Sequence, residues 1–565
     1  MKIQTQSTLT DRIPVRDIIT LLLKQRGIDD QKKDSFFSPP NPNEMTLKDV
    51  GLSETEFKKA FKRLESAYAR KESIVVYTDY DVDGITGGTI MWETLHELGF
   101  NVMPYIPDRR AEGYGFSEKG VENIMREYNP TLVISVDHGI SGEKFINLLK
   151  QKNVDVIVCD HHVKLLGDPE SAHAIMYSKL ICGAGVSYFF AKEIFSKWLE
   201  THEVTEKHKN LLLDNFSHDY IVLAGIGTIS DIMPLQGPSR SLALFGLLYL
   251  KTVKSMGLRE LLKNTGLASK DSFSSYDVGF VIGPRINAAG RMGDALDALR
   301  LLCTRKVEKA QSLVSVLNSH NSKRQTKVEE YLTLAHELLG ENTKDPILFV
   351  HSPEFEEGTV GLVASKLMDE FYRPVFVATE SNGHLKGSAR SIKGVDITDI
   401  FKESSVCLES FGGHERAGGF LLEKKNVAAF KKALQSYGEK HIAENLLERI
   451  VAVDLATPLS NVTLGLAREL NKFEPFGVAN EQPVFSADNV FLTQVRTVGK
   501  TGTHVQCYVK DEHIALPLKA VFFGGAKKMD ILLSNKPVTV IFSITIDTWK
   551  GEQVAIHIKD VFSVA

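Results

Sequence analysis

Three apolar, β-branched runs in the first third of the chain end in acidic or histidine-rich clusters. They are "SIVVYTDYDVDG" (73–84), "TLVISVDHG" (131–139) and "VDVIVCDHH" (154–162). Helix-like stretches such as "GGTIMWETLHELG" (87–99) separate them. Short β-rich runs alternating with amphipathic helices predict βαβ units and a parallel sheet. Ligands of such sheets sit beyond the carboxyl ends of the strands, where all three clusters fall. Carboxylates gathered at the ends of buried strands repel one another and lose hydration. Either cations are bound there, or each cluster is a solvated turn.

The rest of the chain bounds the answer. At 565 residues, 43% hydrophobic and 24% charged, it has the length for several domains and the composition of a soluble globular protein. No apolar run approaches the ~20 residues of a membrane span, and "MKIQTQSTLTDR" lacks the apolar centre of a secretory signal. Five scattered cysteines form no C-x-x-C pair, which argues against a disulfide framework or zinc knuckle and predicts a reducing cytoplasm. A net charge of −4 gives no global sign of nucleic-acid binding, although a local basic groove would suffice.

Residues 306–340 read as one long helix, without proline or internal glycine. A second α/β region runs from "PILFVHSP" (346–353) to "GGHERAGGFLL" (412–422). Beyond residue 449, five or so short β-rich runs predict a small barrel, with the OB-fold leading. The expected class is therefore α/β: a parallel-sheet domain and a smaller α/β domain joined by a long helix, then an OB-like barrel. The expected boundaries are 1–45 (N-terminal segment), 46–240 (catalytic domain), 241–340 (helical connector), 341–445 (associated domain) and 446–565 (barrel).

Hard divalent cations take carboxylate oxygens, and imidazole adds affinity for Mn²⁺. The strand ends offer Asp81, Asp83, Asp137 and His161, with Asp231 in "GTISDIMPL" (227–235). A parallel sheet brings these ends together. Their combined charge calls for roughly two divalent cations, the arrangement suited to in-line phosphoryl displacement.

"DYDVDG", "VDHG", "CDHH" and "SDIMPL", in this order, resemble the four motifs of the DHH phosphoesterase superfamily. "IGPRINAAGRMGDA" (282–295), "GTVGLVASKL" (358–367), "KGSARS" (386–391) and "GGHERAGG" (412–419) narrow the resemblance to the RecJ family of single-strand-specific 5′→3′ DNA exonucleases. It extends from about residue 25 to the C-terminus. It implies two cations, Mn²⁺ or Mg²⁺, held by Asp81 and Asp83, bridged by Asp137 and completed by His161 and Asp231. It makes Asp160 a partner that orients an imidazole. His162 would meet the scissile phosphate as donor or general acid, the alternative being a structural histidine. It further implies single-stranded DNA as partner, a helicase and a single-strand-binding protein as associates, no membrane, a monomer, and a role in DNA repair and recombination. Two departures stand out. Tyr77 occupies the place of a superfamily histidine, so Asp79 is the expected substitute ligand, or the first metal is completed by substrate. His138 follows Asp137 where a small polar residue is expected; it either adds a ligand, contacts phosphate or packs.

Phosphate recognition calls for guanidinium forks, hydroxyls and backbone N–H groups. Arg285, Asn287 and Arg291 lie in "GPRINAAGR", read as tight, partly buried backbone. "KGSARS" offers Ser388, Arg390 and Ser391, and "IPDRRAEGYG" offers Arg109 and Arg110 beside Tyr114, a base-stacking candidate. His414 sits among glycines that admit a ligand or merely form a turn. In the barrel, Arg496, Lys500 and Lys510 mix with Phe491, His504 and Tyr508. The expected activity is exonucleolytic release of nucleoside 5′-monophosphates. The alternatives are hydrolysis of short oligoribonucleotides or cyclic dinucleotides, and an inactive DNA-binding replication scaffold.

Overall fold

Valine and isoleucine dominate the runs that were expected to form strands, and they do so in a computed structural model that describes residues 2–164, 167–549 and 551–564. The chain divides into two compact units: Thr46–Asp231 with Tyr249–Arg449, and Met1–Met45 with Ile232–Leu248 and Ile450–Ala565.

In the first unit, five parallel strands lie in the order Val102–Tyr105, Ile74–Thr78, Leu132–Val136, Asp155–Asp160, Ala174–Tyr177. Every residue of Ile74–Thr78 and Leu132–Val136 is buried, as expected of strands covered on both faces. The strand after Ile74–Thr78 lies to one side of it and the next lies to the other. The order therefore reverses between Ile74–Thr78 and Leu132–Val136, and a ligand crevice belongs at their carboxyl ends. Asp79 and Asp137 stand there.

The helix Val82–Glu97 is buried along most of its length and packs on the helices Gly183–Thr201 and Asp219–Ser230. "GPRINAAGR", expected as irregular backbone, is instead the helix Gly283–Met292, continuing a π-helical turn at Asp277–Ile282. Pro284 stands where the π-helical turn passes into this helix, and it has no N–H to donate. The 33-residue helix Val307–Leu339 follows and ends at Gly340.

A second sheet has the order Ser410–His414, Ala417–Glu423, His384–Arg390, Val375–Ser381, Leu348–Ser352. Only its last pair is parallel. Ser388 and Arg390 lie on its middle strand, His384–Arg390.

In the second unit, Phe485–Val498 pairs with both His504–Lys510 and Val538–Asp547, which closes a five-stranded barrel. Leu518–Phe522 runs parallel to Gln553–Ser563, completing the cyclic strand order of an OB-fold. Ile450–Ala456 and Lys2–Thr8 extend the sheet to seven strands. Residues 1–45, expected as a segment apart, contribute Ile18, Ile19, Leu22, Leu23 and Phe36 to the barrel's own core. Residues 232–248, expected at the end of the catalytic domain and the start of the connector, also belong to this unit. Arg240 shows why: it is buried over the Phe36 ring and donates to the carbonyls of Phe36 and Glu474.

Candidate metal centre

The first cluster is shaped by a strand that gives way to a helix within three residues. The Asp79 N–H donates to the Val136 carbonyl at 3.1 Å, holding the turn against the neighbouring strand. Asp81 caps the helix Val82–Glu97, its Oδ1 accepting from the N–H groups of Asp83 (2.9 Å) and Gly84 (3.1 Å). Gly84 has to be glycine: a Cβ there would lie 2.5 Å from the Asp79 carbonyl oxygen.

Asp137 follows the next strand in the left-handed region, at φ +66°. Asp83 is held by a helix that reading the sequence did not single out. Its Oδ2 accepts from Gly183 N–H at 2.6 Å and its Oδ1 from Ala184 N–H at 2.9 Å, at the N-terminus of Gly183–Thr201. A Cβ on Gly183 would lie 2.6 Å from the Asp137 Cβ. The signal was present as "CGAG" (182–185), a pair of glycines opening an apolar helix.

His161 Nε2 stands 3.1 Å from Asp137 Oδ1, 3.6 Å from Asp231 Oδ2 and 3.7 Å from Asp83 Oδ2. Three groups of side chains have ligand atoms within 4.8 Å of one another: Asp79, Asp81 and Asp137; Asp83, His161 and Asp231; and Asp137, His161 and His162. Asp79 thus stands where a ligand for the first cation was sought, and one of its buried oxygens has no hydrogen-bond partner among the described residues. Burial, then mutual repulsion, raises the pKa of Asp79, Asp81 and Asp137, and pushes Asp231 up to about 8. Burial lowers that of His161. A set of carboxylates that resists ionising together, beside a neutral imidazole, fits hard divalent cations.

His162 is fixed by Asp160, whose Oδ1 accepts from its Nδ1 at 2.8 Å and from the N–H groups of residues 161 and 162. Burial opposes charging His162, but the Asp160 hydrogen bond and charge win and push its pKa up to about 9. Burial works against Asp160 as an anion; the His162 hydrogen bond prevails and holds it at about 2.

Tyr77 is no ligand. It is buried, and its hydroxyl donates to the Gly115 carbonyl at 3.2 Å. His138 is buried too, its Nε2 3.0 Å from the Tyr77 carbonyl and its ring edge-on to Phe116. Burial lowers its pKa to about 4. Of the readings open for His138, the packed one is what the structure places there.

The arginines come from separate elements. Arg291 is pushed down to about 9 by burial and then by Arg109, Arg324 and Arg390. None of these four forms an ion pair among the described residues. Arg324 lies on the helix Val307–Leu339, where nothing local marks it among the polar residues. Arg109 lies over the Tyr80 ring at 4.9 Å, and Arg390 Nη1 donates to Ser388 Oγ at 2.8 Å.

Other candidates are used otherwise. Ser391 is buried and donates to the Val395 carbonyl. Asn287 Oδ1 accepts from Val82 N–H at 3.2 Å, bracing the metal-side helix. Arg285 is bound to Asn318 and the Val281 carbonyl, and Arg110 to the Arg291 carbonyl. Tyr114 turns its hydroxyl to Asp137 and His162. His414 is exposed at the end of its strand, and its imidazole makes no hydrogen bond or ion pair among the described residues.

Comparison with known proteins agrees with this geometry. Residues 73–216 match the DHH family N-terminal domain, 344–440 the DHHA1 domain and 453–560 the RecJ OB domain. The chain is 30% identical over 561 residues to the single-stranded-DNA-specific exonuclease RecJ of Bacillus subtilis, covering 97% of this chain and 68% of that protein. It is 31% identical to the Thermus thermophilus enzyme of the same name, covering 86% and 68%. The crystal structure of Thermus thermophilus RecJ in complex with Mn²⁺ superposes with a TM-score of 0.79 at 26% identity, covering 100% of this chain and 80% of that one. With its aspartate–histidine centre at the sheet's switch point and these likenesses along nearly its whole length, the chain belongs to the RecJ family.

Proposed function

We propose that this protein is a divalent-metal-dependent exonuclease that degrades single-stranded DNA from the 5′ end and releases nucleoside 5′-monophosphates. The observation that carries the reading is the meeting of Asp79, Asp81, Asp83, Asp137 and His161, at or just beyond the ends of neighbouring strands, with Asp231 at the end of the helix Asp219–Ser230, in a chain whose relatives are named for this activity.

Asp79, Asp81 and Asp137 would hold one cation, Asp83, His161 and Asp231 a second, with Asp137 between them. Mn²⁺ or Mg²⁺, when bound, supplies Lewis acidity that activates water and neutralises charge developing on the phosphoryl oxygens. The protein's part is positioning. Asp83 keeps its orientation because two helix N–H groups grip both its oxygens. Asp160 holds His162 Nδ1, leaving Nε2 to protonate or stabilise the leaving 3′-oxygen.

Polarity requires recognition of one strand end. Arg109, Arg291, Arg324 and Arg390, with Ser388, form a cationic cluster that makes no ion pair among the described residues. A terminal phosphomonoester carries more charge than an internal diester, so such a cluster favours it. The barrel would add affinity for single strands through Arg496, Lys500 and Lys510 and their aromatic neighbours. We place the enzyme in the cytoplasm as a monomer, with a helicase and a single-strand-binding protein supplying the unwound strand. None of the described helices is long and apolar enough to cross a membrane.

The test uses single strands labelled at the 5′ or 3′ end, with and without Mn²⁺. Metal-dependent release of a labelled mononucleotide from the 5′ label at early times is expected. First release from the 3′ label overturns the polarity; hydrolysis of dinucleotides with long strands left intact overturns the substrate.

A further inference from the structure

We infer that Tyr114 is a positioning residue for His162, and that Tyr77 anchors it. The inference rests on the exonuclease reading for its consequence in catalysis, but its geometry stands alone.

The segment carrying Tyr114 is built rather than loose. Asp108 Oδ1 accepts from the N–H groups of Arg110 (2.8 Å) and Ala111 (2.7 Å), and Tyr105 donates to Glu112 at 2.6 Å. Gly113 and Gly115, on either side of Tyr114, have φ of +86° and +64°. Two consecutive reversals of this kind aim one side chain inward, and residues with a Cβ resist both. Behind them, the Tyr77 hydroxyl donates to Gly115 O at 3.2 Å. Its ring is locked among Tyr105, Phe116 and His138 at 4.9–5.0 Å between centroids. Room for that hydroxyl exists because residue 120 is glycine; a Cβ there would lie 2.2 Å from it.

The Tyr114 hydroxyl then donates to the Asp137 carbonyl at 3.1 Å and lies 3.1 Å from His162 Nε2. A phenol can donate once and accept as well. While it donates to the Asp137 carbonyl it accepts from Nε2–H; its one hydrogen does not serve a bare Nε2 at the same time. With Asp160 on Nδ1 at 2.8 Å, the imidazole is held at both nitrogens until the leaving oxygen takes the place of the phenol at Nε2. Fixing a proton-transfer group before the substrate arrives removes rotational freedom that the reaction would otherwise have to suppress. Tyr114 is 52% exposed, and its ring sits edge-on to Tyr80 and His162. Base contact and positioning are thus separable: one uses the ring, the other only the oxygen.

Tyr114→Phe keeps the ring and removes the oxygen. On a 5′-phosphorylated single strand, kcat should fall about 10- to 100-fold, the range for partners that orient a reacting group, with KM within about twofold. Tyr77→Phe should act in the same direction, less strongly. In a His162→Gln background, Tyr114→Phe should cause no further loss. Independently of activity, full-length protein labelled with ¹⁵N-histidine and free of metal should show the His162 Nε2 resonance displaced in Tyr114→Phe while Nδ1 stays. An unmoved Nε2 resonance overturns the inference. So does a KM increase with kcat intact, or an undiminished effect in the His162→Gln background. A wild-type enzyme that hydrolyses no single strand sinks the exonuclease reading instead, and the ring resonance then decides the positioning role by itself.

Discussion

At the scale of single residues, the centre is a set of carboxylates whose folded arrangement disfavours their own charge. Asp137 is buried among Asp83, Asp81, Asp79 and Asp231. Asp137→Asn should therefore raise the melting temperature of metal-free protein, by about 2–4 °C for each kcal/mol of relieved repulsion. It should also abolish the Mn²⁺-induced rise in melting temperature and lower activity beyond the ~10- to 100-fold typical of outer-shell changes. Thermal scans with and without Mn²⁺ check both; an undiminished Mn²⁺ effect would remove Asp137 from the ligand set. The same electrostatics set a pH dependence. Asp231 has a folded pKa of about 8 against an ordinary 3.8, so between these values the folded state binds more protons and stability falls as pH rises. His162, raised to about 9 from 6.5, has the same sign: its contribution is complete below pH 6.5 and lost toward 9. His138, lowered to about 4, acts oppositely, but only between pH 4 and 6.5. Metal-free protein should thus lose stability steadily from pH 6.5 to 8.5, and saturating Mg²⁺ should flatten the slope. A flat metal-free profile would show that the carboxylates ionise without mutual cost.

At the scale of elements, the helix Gly183–Thr201 is the part whose placement most affects the centre. Its first two N–H groups orient Asp83, and its first residue leaves no space for a methyl group beside Asp137. Intrinsic propensity favours alanine over glycine inside a helix by about 1 kcal/mol, so propensity alone predicts that Gly183→Ala stabilises. The close approach predicts the reverse: a helix start pushed away from Asp83 and Asp137. Mn²⁺ affinity should fall about tenfold or more, read by titration of the melting temperature against Mn²⁺ concentration. A variant that is more stable and binds Mn²⁺ as tightly as wild type would show that the helix start is not critical. The arginine cluster follows the same logic, because Arg291, Arg324 and Arg390 lie on two helices and a strand whose mutual packing alone brings the guanidiniums together.

At the scale of the whole molecule, the units are not sequential. The barrel's core includes Ile18, Ile19, Leu22 and Leu23 of the helix Val15–Gln25, and residues 232–248 belong to the same unit. Deleting 450–565 would strip the cover from these side chains, each losing roughly 2 kcal/mol of apolar burial. The truncated protein is expected to bind a hydrophobic dye strongly and to aggregate. Soluble yield and dye fluorescence measure this. A monomeric, dye-silent truncation would mean that the N-terminal helix finds other cover. Dissecting the barrel's contribution to DNA binding therefore calls for point substitutions on its surface.

The strands, the long helix, the barrel and the aspartates of "DYDVDG", "VDHG" and "CDHH" were legible in the chain because their signals are local. Periodicity, β-branching and adjacency to a strand end are properties of a few neighbouring residues. So was the demand for cations, since parallel strands necessarily gather their carboxyl ends. Tertiary structure decided what depends on distant partners. It placed Gly183 and Ala184 on Asp83 across a hundred residues, set Arg324 among the other arginines, and made Tyr77 an anchor rather than a ligand. It turned Tyr114 toward His162 and enclosed the N-terminal helix with the barrel. Each of these is a close approach between segments remote in the chain, fixed by steric fit and burial, and no short stretch of sequence encodes such a contact.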